Sequence, residues 1–506
     1  MKKKIPEIMD TTLRDGEQTS NVAFSPSEKM QIARILLEKV NVDRIEIASA
    51  LVSEGEKEST RDILAWAAQN NYINQIEILG FVDHKRSLDW IDGVGGKVMN
   101  MLTKGSFKHL TYQLKKTPEE HFDDISKTIQ YAAKKKIAVN VYLEDWSNGF
   151  IDSPDYVYRL IDHLGKSAVD RILLPDTLGI LYPQQVFTFI GDLTSKYPDL
   201  HFDFHAHNDY GLGTINTLEA VRAGASGVHC TVNCLGERTG NASLAEVLAS
   251  LHDHLNMKTN VSEKHLYLVS RVVETFSGKR LADNAPIVGE DVFTQTAGIH
   301  ADGDKKAGLY ESRLMPGRFG RKRSYALGKM SGKASLDQNL QELGIELSPE
   351  NHKMVLDRIK ALGDRKKKVT IEDLPFLISD ILRIPGHDII RFTNVVITSG
   401  MDIMPICSLK IWYKNEEYKI TGSGDGGYDA FMNAIRSWAK ENSIELPTLR
   451  DYEVRIPPGG QTSALVECKI TWIEENNRTL ATRGVDSDQT MAAVQATEKM
   501  LNLVLV

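Results

Sequence analysis

Short β-branched runs alternate with longer segments of helical period from residue 7 to about 236, polar residues gather at the ends of those runs, and the last ~120 residues carry a weak internal repeat. Together these features predict an α/β chain: a TIM (β/α)8 barrel, then a mostly helical linker region, then a C-terminal α+β domain. The expected boundaries are 1–275 for the barrel, 276–387 for linker subdomains covering its mouth, and 388–506 for the C-terminal domain.

The eight runs begin at Glu7-Ile8-Met9, Arg44-Ile45-Glu46-Ile47, Ile76-Glu77-Ile78-Leu79, Lys97-Val98-Met99-Asn100, Ile137-Ala138-Val139-Asn140-Val141-Tyr142, Arg171-Ile172-Leu173-Leu174, His201-Phe202-Asp203-Phe204 and Gly227-Val228-His229. Eight such units in about 270 residues match the size of that barrel. The segments between them read as helices. Ser25-Pro26 followed by Glu28 supplies an N-cap, a proline at the first helical position and an early acid, and Met30, Ala33 and Leu37 recur at helical spacing. After Leu281 the pattern changes. Asp283 to Lys333 is glycine-rich, shows little periodicity and carries Arg318, Arg321, Lys322, Arg323, Lys329 and Lys333, so it reads as a connector and not as a third core. Short helical patterns run from Ser335 to about Leu382 and end at Pro385-Gly386. Two strand-strand-helix halves follow. One passes through Val395-Ile397 and Leu409-Trp412 to a helix over Tyr428–Lys440, the other through Val454-Ile456 and Ala464-Val466 to a helix over Gln489–Leu501.

A chain of 506 residues with 42% hydrophobic and 25% charged residues is neither a small stapled scaffold nor extensively disordered. Its 61 basic and 68 acidic residues give a net charge of −7, which offers no general attraction to nucleic acid or to an anionic membrane. No stretch approaches about 18 apolar residues, and the charged N-terminus is not followed by an apolar segment, so the expected location is cytoplasmic. Cys230, Cys234, Cys407 and Cys468 are too few for a disulfide framework and read as reduced, buried thiols.

In this barrel class the chemistry sits at the C-terminal ends of the strands. Those ends carry Arg14-Asp15 after strand 1, Tyr142 and Glu144 in strand 5, Asp176-Thr177 in strand 6, His205-Ala206-His207 in strand 7, and Asn233 to Arg238 after strand 8. Residues i and i+2 of a strand point to one side, so His205 and His207 can reach one divalent cation. Asp15 is the natural third ligand and Asn241 a candidate fourth; such N/O ligation suits Mg²⁺, Mn²⁺ or Zn²⁺. Arg14 places a fixed cation beside that cluster, suited to an alkoxide or carboxylate, with a structural ion pair as its plainer role. Glu144 is a candidate acid/base residue. His300 and Tyr310 supply titratable groups in the connector, which either is a solvated linker or lies over the mouth and binds a phosphorylated cosubstrate.

The segments Asp10 to Gln18, His205 to Asp209 and Asn233 to Asn241 resemble the signature segments of the 2-isopropylmalate, citramalate and homocitrate synthase family, and the resemblance continues through Thr294 to Gly303 into the C-terminal domain. It implies an acyltransferase: condensation of acetyl-CoA with a 2-oxo acid and hydrolysis of the thioester. Asp15, His205, His207 and Asn241 then hold the metal, Arg14 steadies the alkoxide, and Glu144, His300 and Tyr310 are the matching catalytic positions. Leu79, Leu102, Tyr142 and Thr177, with Arg14 and Asp15, match the pyruvate-contacting positions of the (R)-citramalate synthases, notably the spirochaete type. Bulky groups at Leu79, Leu102 and Tyr142 leave little more than a methyl's space, and a branched substituent would overpack the pocket by about 1–3 kcal/mol. Gly308 departs from the family pattern, in which asparagine precedes the Leu309-Tyr310 pair.

By the same resemblance the C-terminal repeat is an allosteric and dimerising domain. Tyr428, Asp429, Leu449, Thr462, Val466 and Gln489 match its effector pocket, so a homodimer is expected. Isoleucine is the expected inhibitor for a citramalate product, leucine for 2-isopropylmalate. The alternatives are a 2-isopropylmalate synthase, more distantly a homocitrate synthase, and a catalytically silent barrel that senses amino acids. The last predicts lost metal ligands.

Overall fold

A computed structural model describes residues 5–295, 312–343, 345–364, 369, 371–382, 389–455, 466–474 and 479–505. The chain divides into two compact units, Met1–Thr294 with Glu311–Ser324, and Gln295–Tyr310 with Tyr325–Val506.

In the first unit eight parallel strands close into a barrel in sequence order, each paired with the next and the eighth with the first. They are β1 (Glu7–Asp10), β2 (Arg44–Ser49), β3 (Ile76–Phe81), β4 (Val98–Lys104), β5 (Ala138–Glu144), β6 (Arg171–Asp176), β7 (Phe202–Ala206) and β8 (Gly227–Cys230). Each begins within one residue of its expected run. Several extend further at the C-terminal end, and this puts Leu102, Lys104, Tyr142 and Glu144 on strands. Ser25 caps the helix Pro26–Arg34 by accepting from Glu28 N, and the reciprocal bond completes a capping box. Ala33 and Leu37 are buried against the barrel, as their spacing requires.

The barrel's inner layers are polar where branched apolar side chains would be the ordinary filling. Asn140 Nδ2 donates to Asn100 Oδ1 (2.9 Å) and Asn100 Nδ2 to Glu46 Oε1 (2.7 Å). At the floor Arg44 meets Asp203, Glu77 (2.8 Å) and Glu7 (3.1 Å).

Two arginines of the connector are engaged by groups of the barrel unit. Arg318 is bonded to Asp253 (2.8 Å) and Glu263 (2.5 Å), and Arg321 to the carbonyls of Gly289 and Glu290 while lying over Tyr267 and Phe293. Asp253 is near the C-terminal end of the helix Leu244–Leu255, which follows β8 and so runs away from the mouth. These arginines strap the connector to the barrel wall. Ile287, Val288, Phe293 and Phe319 join the barrel's outer core.

The second unit holds more structure than the periodicity suggests. Leu327, Leu336, Leu340, Val355, Ile359 and Leu374 form a small core among the helices Lys333–Leu343, Pro349–Asp364 and Leu374–Leu382. Beyond it, each half of the repeat has three antiparallel strands and a helix, where two strands were expected. The strands Ile390–Gly400, Ile403–Tyr413 and Glu416–Ser423 precede the helix Gly427–Glu441; Thr448–Arg455, Val466–Ile473 and Thr479–Asp486 precede the helix Gln489–Val504. Glu416–Ser423 escaped the sequence reading because it is a polar edge strand whose alternate residues are only half-buried. Among the described residues no helix is long and apolar enough to cross a membrane.

Candidate active site at the barrel mouth

The site begins with the loop that leaves β1. Asp10 accepts from Thr12 N (2.9 Å), and Thr12 Oγ1 accepts from Val232 N (2.8 Å), which ties this loop to the one after β8. The tie fixes Arg14 and Asp15. From β7 come His205 and His207, and an isolated bridge between His207 and Asn241 brings the β8 loop alongside. One ligand atom each of Asp15, His205 and His207 lies within 4.8 Å of the other two, and all three residues are buried. The return to Asn241 needs Gly240 at φ +85°, where an added Cβ would stand 1.7 Å from the Cys234 carbonyl oxygen.

The donor set suits a divalent cation. Asp15 Oδ1, His207 Nδ1 and Asn241 Oδ1 are buried without a hydrogen-bond partner, an arrangement that costs free energy unless something else satisfies them. Asn241 Nδ2 lies 2.7 Å from Asp15 Oδ2 and 2.9 Å from His205 Nε2, so turning the amide over would present Oδ1 to the cluster. Burial tends to raise the Asp15 carboxyl, but Arg14 and His205 outweigh it and hold Asp15 well below the usual carboxylate range. Burial pulls His207 down to about 4 and lowers His205 as well, so both imidazoles are neutral near pH 7 and able to ligate.

Arg14 is ion-paired and also lies beside the ligand cluster. Its Nε contacts Glu46 on β2, a buried ion pair, while its Nη1 lies 3.5 Å from Asp15 Oδ1 and its Nη2 3.4 Å from Tyr142 Oη. Burial works against its charge, yet Glu46 and Asp15 hold the guanidinium pKa above its ordinary value. Beside it Leu79 on β3, Tyr142 on β5 and Leu173 on β6 are buried together, with Leu102 on β4 packed against them. Leu173 was missed by the sequence reading, although it lies next to the named β6 end and has the right alternation. Thr177 Oγ1 accepts from Asp145 N (2.9 Å), which leaves its hydroxyl proton free to donate.

Glu144 stands at the end of β5 in contact with Lys104 at the end of β4, both lining a cavity of about 350 Å³ with Phe81, Leu102, Thr103, Lys116 and His121. Lys104 and Glu46 were also missed. The detectable signal for Glu46 was a charged residue between isoleucines at a position whose side chain faces the barrel interior. His300, Tyr310, Gly308 and Thr462 lie outside the described residues.

Other residues of the signature segments do structural work. Glu17 accepts from Phe24 N and pairs with the buried Lys29, Asp176 accepts from Ile180 and Leu181 N, and Asp209 grips Arg238 with two 2.8 Å bonds. In the second unit Tyr428 Oη bonds Thr497 (2.8 Å) and its ring lies 5.1 Å from that of Tyr452. Asp429 accepts from Asp425 N, Gln489 opens its helix behind the Asp488 cap, Val466 is buried, and Leu449 is partly exposed. A Cβ added to Gly427 would stand 3.9 Å from Thr490 Cγ2, so the two helix N-termini approach each other there.

A closed parallel barrel with a carboxylate–imidazole–imidazole cluster and an adjacent arginine at its mouth defines an HMGL-like barrel protein, and the HMGL-like family description matches residues 5–273. The homocitrate synthase post-HMGL domain-like description matches 287–367, and the LeuA allosteric (dimerisation) domain matches 368–505. A 2-isopropylmalate synthase of Methanocaldococcus jannaschii is 34% identical over 505 residues, covering 98% of this chain and 94% of its own. An (R)-citramalate synthase CimA of the same organism is 33% identical over 502 residues, covering 98% and 99%. These relatives are archaeal, whereas the sequence reading pointed to the spirochaete type. An HMG-CoA lyase structure from Bacillus subtilis superimposes with a TM-score of 0.48 at 22% identity, covering 56% of this chain and 97% of that one. The chain belongs to the 2-isopropylmalate, citramalate and homocitrate synthase family.

Proposed function

We propose that this chain is an (R)-citramalate synthase, which condenses acetyl-CoA with pyruvate and hydrolyses the thioester to citramalate and CoA. Its relatives by name include both a citramalate and a 2-isopropylmalate synthase at nearly equal identity, so overall similarity does not choose the oxo acid. The observation that carries the choice is the bulk of the apolar group beside the ligand cluster. Leu79, Tyr142 and Leu173 are buried against one another with Leu102 on top, and this filling accommodates a methyl and crowds an isopropyl group.

In this reading Asp15, His205, His207 and Asn241 would hold the divalent cation, which supplies Lewis-acid polarisation of the oxo acid's carbonyl. Arg14, kept charged by Glu46 and Asp15, faces the same space and stabilises the alkoxide that forms when the carbonyl carbon is attacked. Tyr142 Oη, braced by Arg14 and His229, keeps the pocket wall from yielding. Thr177 donates its hydroxyl proton to the substrate carboxylate. Glu144, steadied by Lys104, would move a proton at the acetyl methyl group, and His300 and Tyr310 are the further acid/base residues that the family resemblance proposes. The intact ligand cluster argues against a silent, sensing barrel.

The first C-terminal half exposes Val396, Ile403, Met404, Ile406 and Trp412 on its sheet, apolar area that a homodimer would cover. Isoleucine is the proposed feedback ligand of the C-terminal domain, and the compartment is the cytoplasm. The deciding experiment measures free thiol released from acetyl-CoA with pyruvate, 2-oxoisovalerate and 2-oxoglutarate, with and without a chelator. Pyruvate should be preferred and chelation should abolish turnover; preference for 2-oxoisovalerate would make the chain a 2-isopropylmalate synthase.

A further inference from the structure

Beneath the ligand cluster an unbroken string of hydrogen bonds descends through the barrel, and none of the steps above uses its lower half. At the floor the Asp203 carboxylate lies between two imidazoles. His201 Nε2 is 2.8 Å from Oδ1 and His229 Nε2 is 3.1 Å from Oδ2, while Arg44 also contacts Oδ2. A carboxylate paired with a guanidinium only accepts, so His229 donates through Nε2–H. His229 is buried away from water, where desolvation disfavours an imidazolium; the ring is neutral and its Nδ1 carries the lone pair.

That lone pair faces upward. His205 Nδ1 lies 3.2 Å from it and Tyr142 Oη 3.0 Å. The His229 lone pair thus offers an acceptor to the Nδ1–H form of His205, while Asp15 Oδ2, 2.9 Å from His205 Nε2, offers one to the Nε2–H form. A divalent cation held by Asp15 would take the second acceptor away, so in the loaded site the proton would sit on Nδ1, facing His229, and leave free the lone pair of Nε2, the atom 2.9 Å from both Asp15 Oδ2 and Asn241 Nδ2.

We propose that His229, oriented by Asp203, is a positioning residue that fixes the Nδ1–H tautomer of His205 and so leaves His205 Nε2 available to a divalent cation. The ordinary arrangement puts a carboxylate or carbonyl directly behind a ligating imidazole. Here a second imidazole is interposed, and because Tyr142 shares the same acceptor, the wall of the oxo-acid pocket and the cation ligand are braced by one atom. The inference rests on the reading of Asp15, His205 and His207 as a metal centre.

The test titrates Mn²⁺ calorimetrically into the full-length protein after removal of metal by a chelator and dialysis. His229→Leu should weaken Mn²⁺ binding by about 10–100-fold, whereas His229→Gln, whose amide oxygen can accept from His205 Nδ1–H, should bind within about threefold of the parent. Unweakened binding by a folded His229→Leu protein, or failure of His229→Gln to restore it, overturns the positioning role while the metal centre stands. A parent that does not bind Mn²⁺ overturns the metal-centre reading and the proposal with it. Should His229→Leu fail to fold, the parent still decides the matter. ¹⁵N-histidine NMR of the Mg²⁺-loaded protein, with His205 assigned through His205→Asn, should show the Nδ1–H form; an Nε2–H form overturns the proposal.

Discussion

At the barrel mouth the proposed reading gives Leu79 the limit on pocket size and Arg14 the contact to developing charge. Truncating Leu79 to alanine removes apolar bulk from a closed cluster, and a methylene-sized change in such a pocket is worth about 1–3 kcal/mol. Leu79→Ala should therefore shift the kcat/KM ratio of 2-oxoisovalerate to pyruvate upward by about 10- to 200-fold, with steady-state kinetics on both acids as the measurement. An unchanged ratio would show that Leu79 does not limit the pocket. Arg14→Lys keeps the charge but loses the planar fork that meets Glu46, Asp15 and Tyr142 together. It should lower kcat by about 100-fold or more while the melting temperature changes little.

At the scale of elements, the strands owe part of their cohesion to buried charge. Arg44 of β2 meets Glu7, Glu77 and Asp203 from β1, β3 and β7, and its removal would leave carboxylates buried without a counter-ion. Arg44→Leu should cost about 3–5 kcal/mol in chemical unfolding, well beyond the effect of a surface arginine such as Arg159. A second case is His121, in the helix Pro118–Lys135, whose ring accepts from Lys104 N. Burial, with Lys116, Lys104 and His163 nearby, depresses it to about 4 against the opposing pull of Asp124. The unfolded chain takes up a proton near pH 6.5 that the folded protein refuses until about pH 4. Stability is thus complete above pH 6.5 and falls through that window, by about 3 kcal/mol at its lower end. The melting temperature of the parent should drop further between pH 7 and 4.5 than that of His121→Gln; equal drops would contradict the assignment.

For the whole molecule, the two units predict separable activities. Isoleucine should lower the rate without altering the preference among oxo acids, because the groups that select the acid and those proposed to bind the effector belong to different units. Val466→Ala should raise the isoleucine concentration needed for half-inhibition by about tenfold while leaving the uninhibited kcat unchanged, as a dose–response series would show. Loss of uninhibited activity in that variant would place Val466 elsewhere in the mechanism.

Much of this molecule was written in local pattern. The eight strands, the Ser25 capping box, the His205-Ala206-His207 pair and the repeated C-terminal halves follow from side-chain alternation, helical period and capping chemistry, which act between neighbours in the chain. What neighbours do not encode is which distant charges meet. Arg318 and Arg321 looked like a basic patch for an anion, and folding joined them to carboxylates and carbonyls of the barrel wall. Glu46, Lys104, Leu173 and His229 lie on strands already recognised, but their partners Arg14, Glu144, Tyr142 and His205 stand on other strands or loops, 32 residues away for Arg14–Glu46, 40 for Lys104–Glu144 and 24 for His205–His229. The sequence by itself determined the barrel and the carboxylate–imidazole cluster at its rim, because both depend on short-range periodicity. Only the tertiary structure decided which buried polar groups satisfy one another, because closing the barrel brings eight strands around one small desolvated space where every donor and acceptor must find a partner.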